Sequence, residues 1–141
     1  MEDDLDTPPR QPYAVVDDSH EHIIRARVVG PLTDASYQAY LDELAGIFAR
    51  RRTNFVVIVE QGRLQSFPPR YVRMTSAWLA NAERSHASRW RGAAFVLHNP
   101  VYRGALRALI WAARTSVPMP CFATVEAAES WAEEQLARAA S

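Results

Sequence analysis

The sequence predicts a single α/β domain built on a mostly parallel sheet of four or five strands with four helices. Three observations carry this. The chain has 141 residues, 48% of them hydrophobic, which suits one compact core. Two short β-rich runs near the N-terminus are followed by strand-like and helix-like segments in alternation, the pattern of successive βα units. Two of those strands, Phe55 to Val59 and Ala93 to Leu97, are continuous apolar runs, as expected of strands buried on both faces. An Asp at Val57 or Phe95 is therefore expected to prevent folding.

Residues 1 to 12 are acidic and proline-rich, which predicts a flexible tail ahead of a domain spanning 13–141. Tyr13 to Asp17 and His22 to Val29 flank the polar turn Asp18-Ser19-His20-Glu21 and read as an edge hairpin. After Gly30-Pro31 the period changes. Thr33 is a natural N-cap, and Asp34 suits the positive end of the helix that follows. Tyr37, Tyr40, Leu41, Leu44, Ile47 and Phe48 form its apolar stripe, and Arg50, Arg51 and Arg52 close it at its negative end.

Phe55 to Val59 is the next strand and Gly62 to Phe67 a loop. Pro68 and Pro69 open a second helix, with Tyr71, Val72, Thr75, Trp78, Leu79 and Ala82 on one side and Arg70, Arg73 and Asn81 on the other. After Ala93 to Leu97, Asn99 caps and Pro100 begins a helix reaching Arg114. Cys121 to Val125 is the last strand. Thr124 then caps a helix that turns Ala128, Trp131, Ala132 and Leu136 inward.

The helix from Pro100 has little polar face. At 100° per residue, Val101, Ala105, Ala108, Leu109 and Ala112 form the expected core stripe. Arg103, Arg107 and Arg114 lie opposite, flanked by Ile110 and Trp111. Dense internal packing, with Trp111 covered by Thr115 to Pro120, is one reading; a partner surface is the other, since Trp, Tyr and Arg dominate interface hot spots.

Charge is distributed unevenly. All 16 basic residues are arginine, and with 23 alanines this fits a GC-rich coding bias. Residues 1–49 hold 10 acids and 3 arginines, a net of −7, whereas residues 63–114 hold 9 arginines and one acid, a net of +8. The formal net charge is zero, so bulk electrostatics indicates no nucleic-acid partner. No stretch approaches the ~20 apolar residues of a spanning helix, and the acidic, proline-rich first residues are not expected to act as a secretory signal. A cytoplasmic protein is the expectation. The single cysteine, Cys121, sits in an apolar run and reads as an inert buried thiol.

The segments VVGPLTDASYQAYLDEL, FVVIVE, RGAAFVLHNP and CFATVEAAESWAEEQL resemble the STAS domain, the fold of sulfate transporters and anti-sigma-factor antagonists. More narrowly the chain is similar to a bacterial STAS-like group that shares features with the Sec14-type lipid-binding fold. The resemblance covers roughly residues 13–138. It implies a regulatory interaction module or, through the Sec14-like relatives, a binder of a small apolar or lipid-like ligand. In signalling STAS domains a serine or threonine after the central strand is phosphorylated. The family's Asp-Ser-Ser-Gly pattern is absent here; Gln65-Ser66-Phe67-Pro68-Pro69 stands in its place, and N-capping or loop bonding is the expected use of Ser66.

Catalytic signatures are absent: the sequence has no glycine-rich phosphate loop, nucleophile elbow or His-Glu-x-x-His. His20 and His22 sit in an acidic turn and His98 ends a strand; His86 completes the set, and solvated or structural roles fit them better than metal or proton transfer. The expectation is a non-catalytic module with no cofactor and no metal. Its partner would be an acidic protein surface or a second copy, met through Arg70, Arg73, Arg103, Arg107, Ile110, Trp111 and Arg114. The alternative is a small apolar ligand held by Tyr71, Trp78, Tyr102, Leu106 and Trp111. As exposed charges contribute little to folding, reversing Arg103 and Arg107 is expected to leave the melting temperature nearly unchanged.

Overall fold

The computed structural model describes residues 14–28, 33–61, 69–86 and 88–140. The expected N-terminal tail, the Gly30-Pro31 break and the loop bearing Ser66 lie outside the described residues.

The element order is β1 (Ala14–Asp17), β2 (Ile23–Val28), α1 (Asp34–Arg50), β3 (Phe55–Gln61), α2 (Pro69–His86), β4 (Trp90–Val96), α3 (Pro100–Ala113), β5 (Cys121–Phe122) and α4 (Val125–Ala140). The five strands lie in sequence order, β1-β2-β3-β4-β5. β1 is antiparallel to β2 at one edge, and every other pair is parallel. The hairpin, the βα succession and the mostly parallel sheet therefore match the sequence reading. β5 is shorter than expected, but Pro118, Pro120 and Phe122 carbonyls accept from Ala93, Phe95 and Leu97 at 2.9–3.0 Å and continue the ladder.

Alternation along the strands sends side chains to two faces. On one, Ile24, Ala26, Val28, Phe55, Val57, Trp90 and Ala93 pack with α1 and α2. On the other, Ile23, Val56, Ile58, Ala94 and Val96 pack with Ala128 and Ala132 of α4. Helix α1 starts where its chemistry dictates. Thr33 Oγ1 accepts from Ser36 N at 3.0 Å and Ser36 Oγ accepts from Thr33 N at 2.9 Å, a reciprocal cap. Phe48, 1% exposed, centres an aromatic cluster with Phe55, Trp78, His86 and Trp90 at ring separations of 4.7–5.7 Å.

The arginines after α1 do more than complement its dipole. Arg50 is in its last turn, but Arg51 donates to Glu21 O at 2.8 Å and to Asp18 O at 2.7 Å and so holds the hairpin turn. Within that turn His20 Nδ1 accepts from the backbone N–H groups of His22 and Ile23, at 3.0 and 3.1 Å.

Pairing between β3 and β4 slips by one residue: Phe55 faces Trp90, but Val56 faces Gly92. Gly92 occupies this bulge with φ 158°, and the Trp131 ring of α4 lies directly against it.

Candidate functional site

Helix α3 begins at a well-made cap. Asn99 Oδ1 accepts from Val101 N at 2.8 Å and Tyr102 N at 3.3 Å, and Pro100 fills the first helical position. The helix ends at Arg114, whose φ of 54° and ψ of 47° place it in the left-handed region. Two residues on, the Glu83 carboxylate at the end of α2 receives Ser116 N and Oγ and, at 3.0 Å, Val117 N. Burial alone would raise the Glu83 pKa, but these three hydrogen bonds outweigh it and hold the group below its ordinary value. Both ends of α3 are thus fixed, one by the β4 exit and one by α2.

Between those ends the helix does not pack as the sequence reading expected. None of its residues is buried. Val101 is 73% exposed and Trp111 81%, and Ala105, Ala108 and Ala112 are exposed too. Of the expected core stripe only Leu109 is half-buried; Val101, Ala105, Ala108 and Ala112 are exposed, and the loop after α3 does not cover Trp111. Arg103, Leu106, Leu109 and Ile110 are the half-buried residues.

The reason is chemical and volumetric. Arg103 Nη1 donates to Leu97 O at 2.8 Å, and Arg107 Nη2 donates to Cys121 O at 3.2 Å. These carbonyls at the ends of β4 and β5 need donors, and long arginine side chains reach them. Leu106 and Ile110 lie within about 100° of both arginines on the helix wheel. The opposite stripe is mostly alanine and has little apolar volume to bury.

Under α3 lies a cavity of about 620 Å³. Its floor is the β3–β4 face at Val57, Val59, Ala93 and Phe95; α1 contributes Tyr37, Tyr40, Leu41 and Leu44; α2 contributes Thr75, Trp78 and Leu79; α3 closes it with Tyr102, Leu106, Leu109 and Ile110. Gln61, His98 and Asn99 stand at the strand ends. This is the carboxyl-terminal edge of a parallel sheet, where open α/β folds place ligands. The volume falls in the usual range for small-molecule sites.

Of the residues expected to hold an apolar ligand, Trp78, Tyr102 and Leu106 line this cavity. Tyr71 does not; it is 3% exposed and stacks on Tyr37 at 4.8 Å. Trp111 points to solvent. Of the expected partner residues, Arg70 is paired with Asp34 at 2.5 Å, and its guanidinium sits 5.1 Å from the Tyr71 ring centre. Arg103 and Arg107 bond the strand ends, and Ile110 faces the cavity. Arg73 and Arg114 are exposed and form no ion pair among the described residues. The sequence reading missed Tyr40, Leu41, Val59 and Phe95 as cavity walls. Their signal, an apolar stripe, is the same as that of a filled core.

Cys121 is buried, and burial pushes its thiol pKa up while Arg107 and Arg103 pull the other way. Among the described residues no three His, Cys, Asp or Glu side chains converge as metal ligands would. No helix of the described residues is long and apolar enough to cross a membrane.

The tethering of α3 revises one expectation. Arg103→Glu with Arg107→Glu should destabilise the fold by about 2 kcal/mol, because two carbonyl partners then face carboxylates. Arg73→Glu with Arg114→Glu should stay within about 0.5 kcal/mol, as free surface charges do. Parallel thermal melts of the two double variants check this; equal melting temperatures would show that the Arg103 and Arg107 bonds carry no weight.

No family model matches the chain, and no curated protein matches it. Among solved structures it is similar to an uncharacterized protein of the DUF3478 family from Shewanella loihica PV-4, described as having a SpoIIAA-like fold. The two share 15% identity at a TM-score of 0.62, over 89% of this chain and 98% of that one. The chain therefore has a SpoIIAA-like, that is STAS-like, fold.

Proposed function

We propose that this chain is a non-catalytic binding module that takes a small apolar or amphiphilic molecule into the cavity beneath α3. The observation carrying this reading is that α3 is anchored at both ends yet buries none of its residues, leaving about 620 Å³ over an otherwise dense aromatic core. A helix free to pack would collapse onto Phe95 and Leu41, since protein interiors tolerate few voids larger than water.

A second reading, a regulatory protein-interaction module, is favoured by the outer face of the same helix. Trp111 and Val101 are its large exposed apolar residues, and a solvent-facing Trp is the side chain most enriched in binding hot spots. One pair of variants separates the two readings. Leu106→Trp fills the cavity and should weaken binding of an apolar fluorescent probe at least tenfold while the fold melts cooperatively. Trp111→Ala should leave probe binding unchanged but weaken any partner association by about 2 kcal/mol. Native mass spectrometry of protein purified from its own host provides the independent readout. A wild-type chain that neither co-purifies with an apolar molecule nor binds the probe would overturn the first reading.

A further inference from the structure

We infer that the molecule held under α3 carries a neutral hydrogen-bonding oxygen or nitrogen within its apolar body, and that the Tyr40 hydroxyl is the group that recognises it. The inference rests on the cavity reading above and adds to it the chemistry of the ligand.

The cavity contains several polar side-chain groups deep within it, and all but one have internal partners. Tyr37 Oη and Thr75 Oγ1 are 2.6 Å apart, and Thr75 also donates to Tyr71 O at 2.7 Å. Trp78 Nε1 donates to Leu41 O at 2.9 Å, and Trp90 Nε1 to Gly92 O at 3.1 Å. Tyr40 is the exception. It lines the cavity and is 7% exposed, and its hydroxyl makes no hydrogen bond among the described residues.

The Tyr40 hydroxyl makes no bond to the described residues of the protein, and phenylalanine would fill nearly the same volume without it. Its neighbours on the stripe, Leu41, Leu44 and Phe48, are apolar, so packing alone asks for no oxygen here. Because Tyr40 lines the cavity, a ligand atom there would supply the bond that the protein does not. Burial raises the phenol far above its ordinary pKa, with smaller contributions from Tyr37 and Glu43, so the group stays neutral and can both donate and accept. A charged ligand atom is disfavoured beside Tyr40, because among the described residues no arginine lines the cavity and its one histidine, His98, stands at the strand ends. The class this selects is an apolar alcohol, phenol, ketone or amide, in preference to a hydrocarbon or a molecule whose anionic group lies inside.

The test uses 2-naphthol and 2-methylnaphthalene, probes of matching shape that differ in a hydroxyl against a methyl. Each is titrated into the full chain, its Tyr40→Phe variant and the cavity-filled Leu106→Trp variant, with tryptophan emission as the readout. Tyr40→Phe should weaken 2-naphthol five- to tenfold and change 2-methylnaphthalene by less than twofold, the loss expected for one hydrogen bond. Leu106→Trp should weaken both. If Tyr40→Phe affects the two probes equally while Leu106→Trp removes both, the Tyr40 inference fails and the cavity reading stands. If neither probe binds the wild-type chain, both fail.

Discussion

Val56→Asp is expected to yield a chain that does not fold. Val56 is 0% exposed and lies on the sheet face covered by α4, among Ile58, Ala94, Val96 and Ala132. The substitution forfeits about 1.5–3 kcal/mol of apolar transfer and places a carboxyl where no donor waits, whether it buries the charge or takes up a proton. A loss above about 5 kcal/mol removes at least a third, and at the lower end all, of the 5–15 kcal/mol that holds a typical domain. Phe95→Asp should be milder, a departure from the expectation that both central strands are equally intolerant. Phe95 is half-buried because it faces the cavity, so an Asp there has room and access to water. Circular dichroism and urea titration of the two variants decide the point. A cooperatively folded Val56→Asp protein would show that β3 does not present this residue to α4.

Gly92→Ala should destabilise by about 3 kcal/mol, a large effect for one methyl group. A Cβ at this position would overlap the Trp131 ring and stand 3.2 Å from Pro118 O. The φ of 158° is also one that residues with a Cβ rarely adopt. Overpacking of this kind costs about 1–3 kcal/mol and the backbone conformation about 1–3 more. Trimming the obstacle should return part of the loss, so Gly92→Ala with Trp131→Leu is expected to be more stable than the sum of the two single variants implies. Chemical denaturation of the four proteins in the cycle gives the coupling. Strict additivity would place Trp131 away from the β4 bulge.

The sequence by itself determined the order of elements and most of their packing. FVVIV reads as a buried strand, Thr33 and Asn99 as helix N-caps, and the stripe from Tyr37 to Phe48 as a core face, and the structure has each of them. The STAS-like topology was implied by the resemblance of its segments to that family, and a hairpin followed by βα units is consistent with it. Local pattern supplied these answers because α1 had one face clearly suited to burial and β3 was apolar on both.

Helix α3 had two. One stripe, Val101, Ala105, Ala108, Leu109 and Ala112, is apolar but mostly small, and only its Leu109 is half-buried; the other mixes Leu106 and Ile110 with Arg103 and Arg107. The sequence reading chose the first, and the tertiary structure chose the second. The deciding groups were the carbonyls of Leu97 and Cys121, at the ends of strands far from α3 in any helical wheel, which required donors that only the arginines could bring. The cavity follows from that choice. Periodicity shows which residues share a face, but a void forms between faces contributed by α1, α2, α3 and the sheet. Its existence depends on how far the anchors at Asn99, Glu83, Arg103 and Arg107 hold one helix off the others, a distance set by contacts to the strand ends and to α2 that the periodicity of α3 does not encode.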